Sequence, residues 1–204
     1  MPQRGIIVSI EGVDAVGKLT QASLLAQWLE RLGLDVSSLS FPDYETPIGR
    51  EIRAFLSGER DYLPELRHML FAANRWEKIP EIRAWQRHCD VIIINRYSES
   101  NLVYGLANGL KLKWLEGLEA GIPKANIVLV LDAPPNNLVS RREGVKDRYE
   151  KDAELQNQVR RIYRRLAKKF GWTIIDASGN IDAIHRAVTD SVHSYLSRRG
   201  GIRK

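Results

Sequence analysis

Residues Gly12-Val13-Asp14-Ala15-Val16-Gly17-Lys18 follow the apolar run Gly5-Ile6-Ile7-Val8-Ser9-Ile10 and open a helical pattern. This is the layout of a phosphate-binding glycine turn, or P-loop, and it demands a buried strand before it and a helix after it. Backbone N–H groups of such a turn converge on one anion, the helix dipole adds positive potential, and the lysine bridges the terminal phosphates. Gly12, Val13, Asp14, Ala15, Val16, Gly17, Lys18, Leu19 and Thr20 are therefore the candidate cradle for a nucleotide's phosphates. One member departs from the pattern, which asks for Ser or Thr after the lysine and finds Leu19. Leu19 has no oxygen to offer a nucleotide-bound Mg²⁺, and Thr20 lies ~100° further round the helix. Nucleotide binding is expected, and metal-assisted turnover has lost one ligand.

At 204 residues, 44% hydrophobic and 27% charged, the chain fits a single α/β domain over 1–204. The early apolar run ends at Glu11, too short for a membrane span or a signal-peptide core, so a cytoplasmic chain with no membrane partner is expected. Cys89 is the only cysteine, which excludes an internal disulfide and fits a reducing compartment. The net charge of +6 is concentrated late. Arg141, Arg142, Lys146 and Arg148 lie in a turn-like segment, and four cations in one loop call for anions to pair with. Arg160, Arg161, Arg164, Arg165, Lys168 and Lys169 read as the solvated face of a helix whose apolar side is Leu155, Val159, Ile162, Leu166 and Phe170. No series of base-stacking aromatics accompanies them, so nucleic acid is not expected as a partner.

Five segments read as strands: Gly5–Ile10, Val36–Ser40, Asp90–Asn95, Ile127–Asp132 and Trp172–Asp176. Several are apolar almost throughout, the mark of parallel strands buried on both faces. Helices are expected at Lys18–Leu32, Pro47–Leu56, Leu63–Arg87 with a break at Pro80, Glu99–Ala107, Lys111–Ala120, Pro135–Arg142, Asp152–Lys169 and Ile181–Arg198. The fold class is α/β: a five-stranded parallel sheet with helices on both faces, in three layers α/β/α. Ligands of such sheets gather outside the carboxyl ends of the strands. There the sequence delivers the P-loop, Phe41-Pro42-Asp43-Tyr44, Asn95-Arg96-Tyr97, Asp132 and Asp176-Ala177-Ser178.

Those motifs carry a resemblance. Glu-Gly-Val-Asp at 11–14, Phe41-Pro42 with Ile48-Gly49, Leu70-Phe71-Ala72-Ala73-Asn74-Arg75-Trp76-Glu77, Arg96-Tyr97, Gly121-Ile122-Pro123-Lys124, Arg148-Tyr149-Glu150 and Asp176-Ala177-Ser178 stand in order along the chain. With them the chain resembles the thymidylate kinases, most closely the branch shared by eukaryotes, poxviruses and archaea, from about Gly5 to the last helix. Phe-x-x-Asn-Arg-Trp is the most specific block. Phe71 and Arg75, four apart on one helix face, place a stacking ring beside a donor to a base carbonyl. The alternative is ordinary core for Phe71 and a surface cation for Arg75.

The resemblance implies a P-loop kinase fold, ATP and Mg²⁺ as cofactors, phosphorylation of dTMP to dTDP, and a homodimer. It implies an acceptor site of Asp14, Phe41, Pro42, Tyr44, Phe71, Asn74, Arg75, Arg96, Ser100, Tyr104 and Tyr149. Within it Phe71 would stack on thymine, Arg75 would reach O4, and Asp14 and Tyr149 would approach the sugar. Lys18, Arg96, Arg142 and Arg148 would be the catalytic cations, the last two from a lid at about 141–150, and Ala177-Ser178 would pack near the donor adenine. Mg²⁺ would be held through the nucleotide phosphates and water, with Asn95 the one candidate side chain.

The departures sit where the chemistry would be done. Besides Leu19, Asn95 replaces an acid before Arg96-Tyr97, Tyr44 replaces an arginine after Phe-Pro-x, and Asn101 replaces a glycine beyond Arg-Tyr. Ala15 stands where one subclass has a P-loop arginine, so the lid must supply that charge. Two other readings follow from these changes: a kinase for a related pyrimidine deoxynucleotide such as dUMP, and a weakly active nucleotide-binding paralogue.

Overall fold

A computed structural model of the chain describes residues 5–134, 148–149 and 151–198. Its elements are β1 (Ile6–Gly12), α1 (Lys18–Arg31), β2 (Val36–Ser40), α2 (Pro47–Ser57), α3 (Pro64–Glu77), α4 (Ile79–His88), β3 (Val91–Asn95), α5 (Ser98–Ala107), α6 (Leu112–Leu118), β4 (Ile127–Asp132), α7 (Ala153–Phe170), β5 (Thr173–Asp176) and α8 (Ile181–Arg198). The five expected strands are all present and form one parallel sheet in the order β2-β3-β1-β4-β5. The expected helix at Pro135–Arg142 lies outside the described residues.

The interior strand β3 shows why continuous apolar runs fit this sheet. Alternate residues of β3 serve two separate cores: Val91 and Ile93 join Leu25 and Leu29 of α1, while Ile92 and Ile94 join Ile79 and Ile82 of α4. A strand covered on both faces has no solvent side on which to place polar residues. The β5 edge is less protected, and only Ile175 of its four residues is buried.

Local chemistry sets the helix boundaries. The segment Leu63–Arg87 divides at Lys78, because Pro80 has no N–H to donate and sits in the first turn of α4, where none is required. Thr46 caps α2 by accepting from Gly49 N, and Asp152 caps α7 by accepting from Leu155 N. Gly49 has a steric reason as well, since a Cβ there would stand 1.7 Å from the Asp43 carbonyl oxygen. That contact folds the β2–α2 loop tightly over the carboxyl end of the sheet. Among the described residues no helix is long and apolar enough to cross a membrane.

The expected solvated face of α7 needs one correction. Arg160 is half-buried and donates twice to Asp132 at the end of β4, from Nε at 2.7 Å and Nη2 at 3.0 Å. Arg161, Arg165, Lys168 and Lys169 are exposed as expected. Phe170, read as part of the apolar side, is 39% exposed, while Gln156 and Tyr163 are buried in its place.

Candidate active site

The P-loop leaves β1 through Gly12 at φ 137°, where a Cβ would lie 2.4 Å from the Leu131 carbonyl oxygen, and reaches α1 through Gly17 at φ 95°. Between them Ala15 holds φ 61°, a left-handed conformation that side chains rarely adopt. Among the described residues the other non-glycine position with positive φ is Arg96, at 60°. Both lie at the carboxyl end of the sheet, where the rest of the fold must hold them against the local preference. Lys18 is buried and donates from Nζ to the Val13 carbonyl oxygen at 2.7 Å, so its ammonium is folded back over the loop it follows. Leu19 is 64% exposed and Thr20 is also exposed, so Leu19 fills no apolar gap.

Beside the loop, Asp14 gathers a polar cluster. Its carboxylate pairs with Arg96 and accepts from Tyr104 Oη at 3.1 Å and Gln156 Nε2 at 2.8 Å. Gln156 Oε1 in turn accepts from the Asp14 N–H at 3.1 Å. Burial alone would raise the Asp14 pKa, but Arg96, Lys18 and these two hydrogen bonds outweigh it and hold the carboxyl below its ordinary value. Burial opposes the charge on Arg96 too, and Asp14 more than restores it. The pair therefore presents a fixed guanidinium next to the P-loop. Tyr104 stacks on Tyr149 at 5.5 Å between ring centroids, and Phe55 meets Tyr149 edge-on at 5.8 Å.

Glu11, one residue before the P-loop, is fully buried and fully engaged. It accepts from Ser9 Oγ (2.8 Å), Tyr97 N (2.7 Å), Ser100 Oγ (2.5 Å) and Tyr163 Oη (2.8 Å), and so pins the start of α5 and the middle of α7 to β1. Glu99 lies close by, its Oε2 without a partner among the described residues, and burial with the nearby Glu11 charge pushes its pKa up to about 8.

A cavity opens from this cluster and is lined by all eleven residues expected at the acceptor site, together with Leu56, His68 and Asn101. Phe71 is half-buried on its wall. Arg75 is no surface cation: it is 2% exposed and grips Glu119, with Nε at 2.9 Å from Oε2 and Nη2 on Oε1. Asn74 lines the cavity but directs its amide elsewhere. It accepts from Asp43 N (2.9 Å) and donates to Asp43 O (3.1 Å), Thr46 Oγ1 (2.8 Å) and Glu77 Oε2 (3.1 Å), clamping the Phe41-Pro42 loop to α3. The Phe41–Pro42 peptide is cis. Tyr44 reaches the cavity with Arg53 over its ring at 4.9 Å.

Other expected residues lie elsewhere. Ala177 is buried with its N–H on Asp132 O at 2.8 Å, and Ser178 is exposed, its hydroxyl and N–H both on Asp176 Oδ1. Arg141, Arg142 and Lys146 lie outside the described residues. Arg148 is described, and it is anchored at the α2–α3 loop: Nη1 is 2.5 Å from Asp61 Oδ1, Nη2 donates to Arg60 O at 3.3 Å, and the guanidinium lies over Phe55 at 4.7 Å. Asn95 is buried beneath the end of β3, sharing the face of Val91 and Ile93 that packs on α1. Its Nδ2 is 3.5 Å from Ser40 Oγ, and its Oδ1 has no partner among the described residues. Sequence reasoning missed Glu11, Gln156, His68 and Glu119 as parts of this site. Only Gln156 left a signal, as an amide on the apolar side of α7.

Comparison with known proteins agrees with this geometry. The thymidylate kinase family model matches residues 10–188. A thymidylate kinase of Dictyostelium discoideum is 34% identical over 199 residues, covering 97% of this chain and 89% of that protein. The Homo sapiens thymidylate kinase is 31% identical over 189 residues, covering 91% and 89%. The solved thymidylate kinase of Candida albicans superposes with a TM-score of 0.82 at 28% identity, covering 98% of this chain and 94% of that one. The chain belongs to the thymidylate kinase family.

Proposed function

We propose that this chain is an ATP-dependent kinase that phosphorylates dTMP to dTDP. The observation that carries the reading is one cavity that gathers Phe71 and Arg75 together with Asp14, Arg96, Tyr104 and Tyr149. The first pair suits a flat base with a carbonyl, and the second group suits a sugar and a phosphate. Donor phosphates take the P-loop N–H groups and Lys18, and Arg96, locked by Asp14, stands where donor and acceptor phosphates meet. Phosphoryl transfer needs mainly positioning and cations, and Lys18 and Arg96 supply both. Ala15 contributes no charge. The anchoring of Arg148 on Asp61 turns the search for the lid cation to Arg142, with Arg141 and Lys146 beside it.

The residues present fit a Mg²⁺ carried by the nucleotide. Mg²⁺ usually keeps several of its waters, and the nucleotide phosphates would supply the rest of its shell. The buried Asn95 Oδ1, an acceptor without a partner among the described residues, would hold one such water. When bound, Mg²⁺ neutralises charge on the β and γ phosphates.

A homodimer belongs to the same reading and is supported by α3, whose Leu66, Met69 and Trp76 share one face at helical spacing and are each more than 40% exposed. Trp76→Glu should lower the mass found by sedimentation. A cytoplasmic setting, expected from the single Cys89, completes it. The test of function is a panel of dTMP, dUMP, dCMP and dGMP assayed for diphosphate formation with ATP and Mg²⁺. The highest kcat/KM should be for dTMP; a higher value for dUMP would favour the related-pyrimidine reading, and no product with any of them the non-catalytic one.

A further inference from the structure

Asn101 stands where the resembling kinases carry glycine, is 3% exposed, and has both ends of its amide engaged. Nδ2 donates to Glu119 Oε1 at 2.6 Å and to the His68 carbonyl oxygen at 3.2 Å, and Oδ1 lies 2.6 Å from His68 Nδ1. An amide oxygen only accepts, so His68 carries its proton on Nδ1. The other ring nitrogen is then an acceptor, and Asn108 Nδ2 lies 3.1 Å from it. Burial pushes the His68 pKa down to about 4, which keeps the ring neutral and in one tautomer at neutral pH. Glu119, at the far end, grips Arg75 through both of its oxygens. Asn108, His68, Asn101, Glu119 and Arg75 therefore form one file in which each donor meets an acceptor, along the wall of the cavity.

We propose that His68 is a positioning residue for base selection: its Nδ1–H fixes the Asn101 amide, which holds Glu119, which holds Arg75 as a donor toward a pyrimidine 4-carbonyl. The inference rests on the reading of this cavity as the pyrimidine pocket. Without the His68 proton the Asn101 Oδ1 loses the donor that faces it, and the amide is held from its Nδ2 side alone, by Glu119 and the His68 carbonyl oxygen. A buried acceptor left without a donor is costly, so the amide would shift toward another one, and its bond to Glu119, with the grip of Glu119 on Arg75, would slacken. A loosened Arg75 distinguishes a 4-carbonyl from a 4-amino group less well, because the penalty for a mismatched polar pair depends on the donor being held in place.

The experiment uses the full chain and calorimetric affinities for dTMP and dCMP, so that discrimination is read without turnover. His68→Leu removes the donor at similar volume, and His68→Asn keeps an N–H near the Nδ1 position. His68→Leu should lower the dTMP-over-dCMP preference by about 10-fold or more, raise the KM for dTMP with kcat within about 3-fold, and leave ATP affinity unchanged. His68→Asn should recover most of the preference. Long-range ¹H–¹⁵N correlation on the wild-type chain should place the His68 proton on Nδ1. A proton on Nε2, a folded His68→Leu chain with wild-type preference, or an Asn variant as impaired as the Leu variant would each overturn the proposal. Arg75→Leu separates the two levels. If it leaves the preference intact, the pocket reading fails and takes this proposal with it. If it abolishes the preference while His68→Leu does not, only the role of His68 fails.

Discussion

Leu19→Ser should make this enzyme work at lower Mg²⁺, and the structure allows the effect to be sized. Leu19 is 64% exposed, so about a third of its side chain is sheltered. Full burial of a leucine stabilises by ~1.5–3 kcal/mol, so truncation should cost about 0.5–1 kcal/mol. For a chain of this length that is a fall in Tm of roughly 1–4 °C, too small to confuse a kinetic result. The gain is larger. A ligand or supporting group restored to a metal site changes metal affinity or rate by ~10–100-fold. The assay is initial rate against Mg²⁺ at saturating ATP and dTMP, with calorimetry of ATP binding with and without Mg²⁺ as the readout independent of turnover. Asn95→Asp is the companion variant. A carboxylate there is buried beside the unpartnered position of Oδ1, so without metal it should lower Tm, and MgATP should restore more stability to it than to the wild type. A folded double variant with unchanged Mg²⁺ half-point and unchanged MgATP affinity would refute the reasoning and make Leu19 an adaptation.

Phe71→Ala should weaken dTMP binding by ~1–3 kcal/mol and leave ATP affinity alone; equal loss for both in calorimetry would make Phe71 ordinary core. Gln156→Met removes two hydrogen bonds to Asp14 and one to Tyr149 O, so urea unfolding should show a loss of ~2–4 kcal/mol, and Asp14 should titrate higher by NMR. Stability should also depend on pH through His68. Between pH 6.5 and about 4 the unfolded chain binds a proton on residue 68 that the folded chain refuses, so this contribution is complete above pH 6.5 and is lost as pH falls toward 4. About 2 kcal/mol should be gone by pH 5. Glu99, raised to about 8, acts in the opposite sense, its contribution declining as pH rises from 4.5 through 8, so the measurement is the difference in urea unfolding between wild type and His68→Leu at pH 7 and pH 5.

The sheet was legible because each strand solves its burial locally. Ile92 and Ile94 face one helix layer while Val91 and Ile93 face the other, and a run of four apolar residues states that without reference to the rest of the chain. The members of the acceptor cavity were legible from motifs, but what each does there was not. Asn74 and Arg75 are neighbours in one block, yet one clamps a loop 31 residues away and the other is held by a carboxylate 44 residues on. Arg148, expected from the resemblance among the catalytic cations, pairs with Asp61, 87 residues earlier. Such partners are chosen by the packing of whole elements, and no local spacing encodes them. Glu11 is the extreme case: in sequence it is a polar residue ending an apolar run, and in the fold it receives donors from β1, α5 and α7 at once. A buried carboxylate satisfied four times over is a strong constraint on how those elements dock. It follows that the position of Arg96, one residue before the Tyr97 N–H that Glu11 accepts, is set from beneath the sheet end as well as by Asp14 above it. Loss of either acid should therefore displace the same guanidinium, and only loss of Asp14 should also strip its counter-charge.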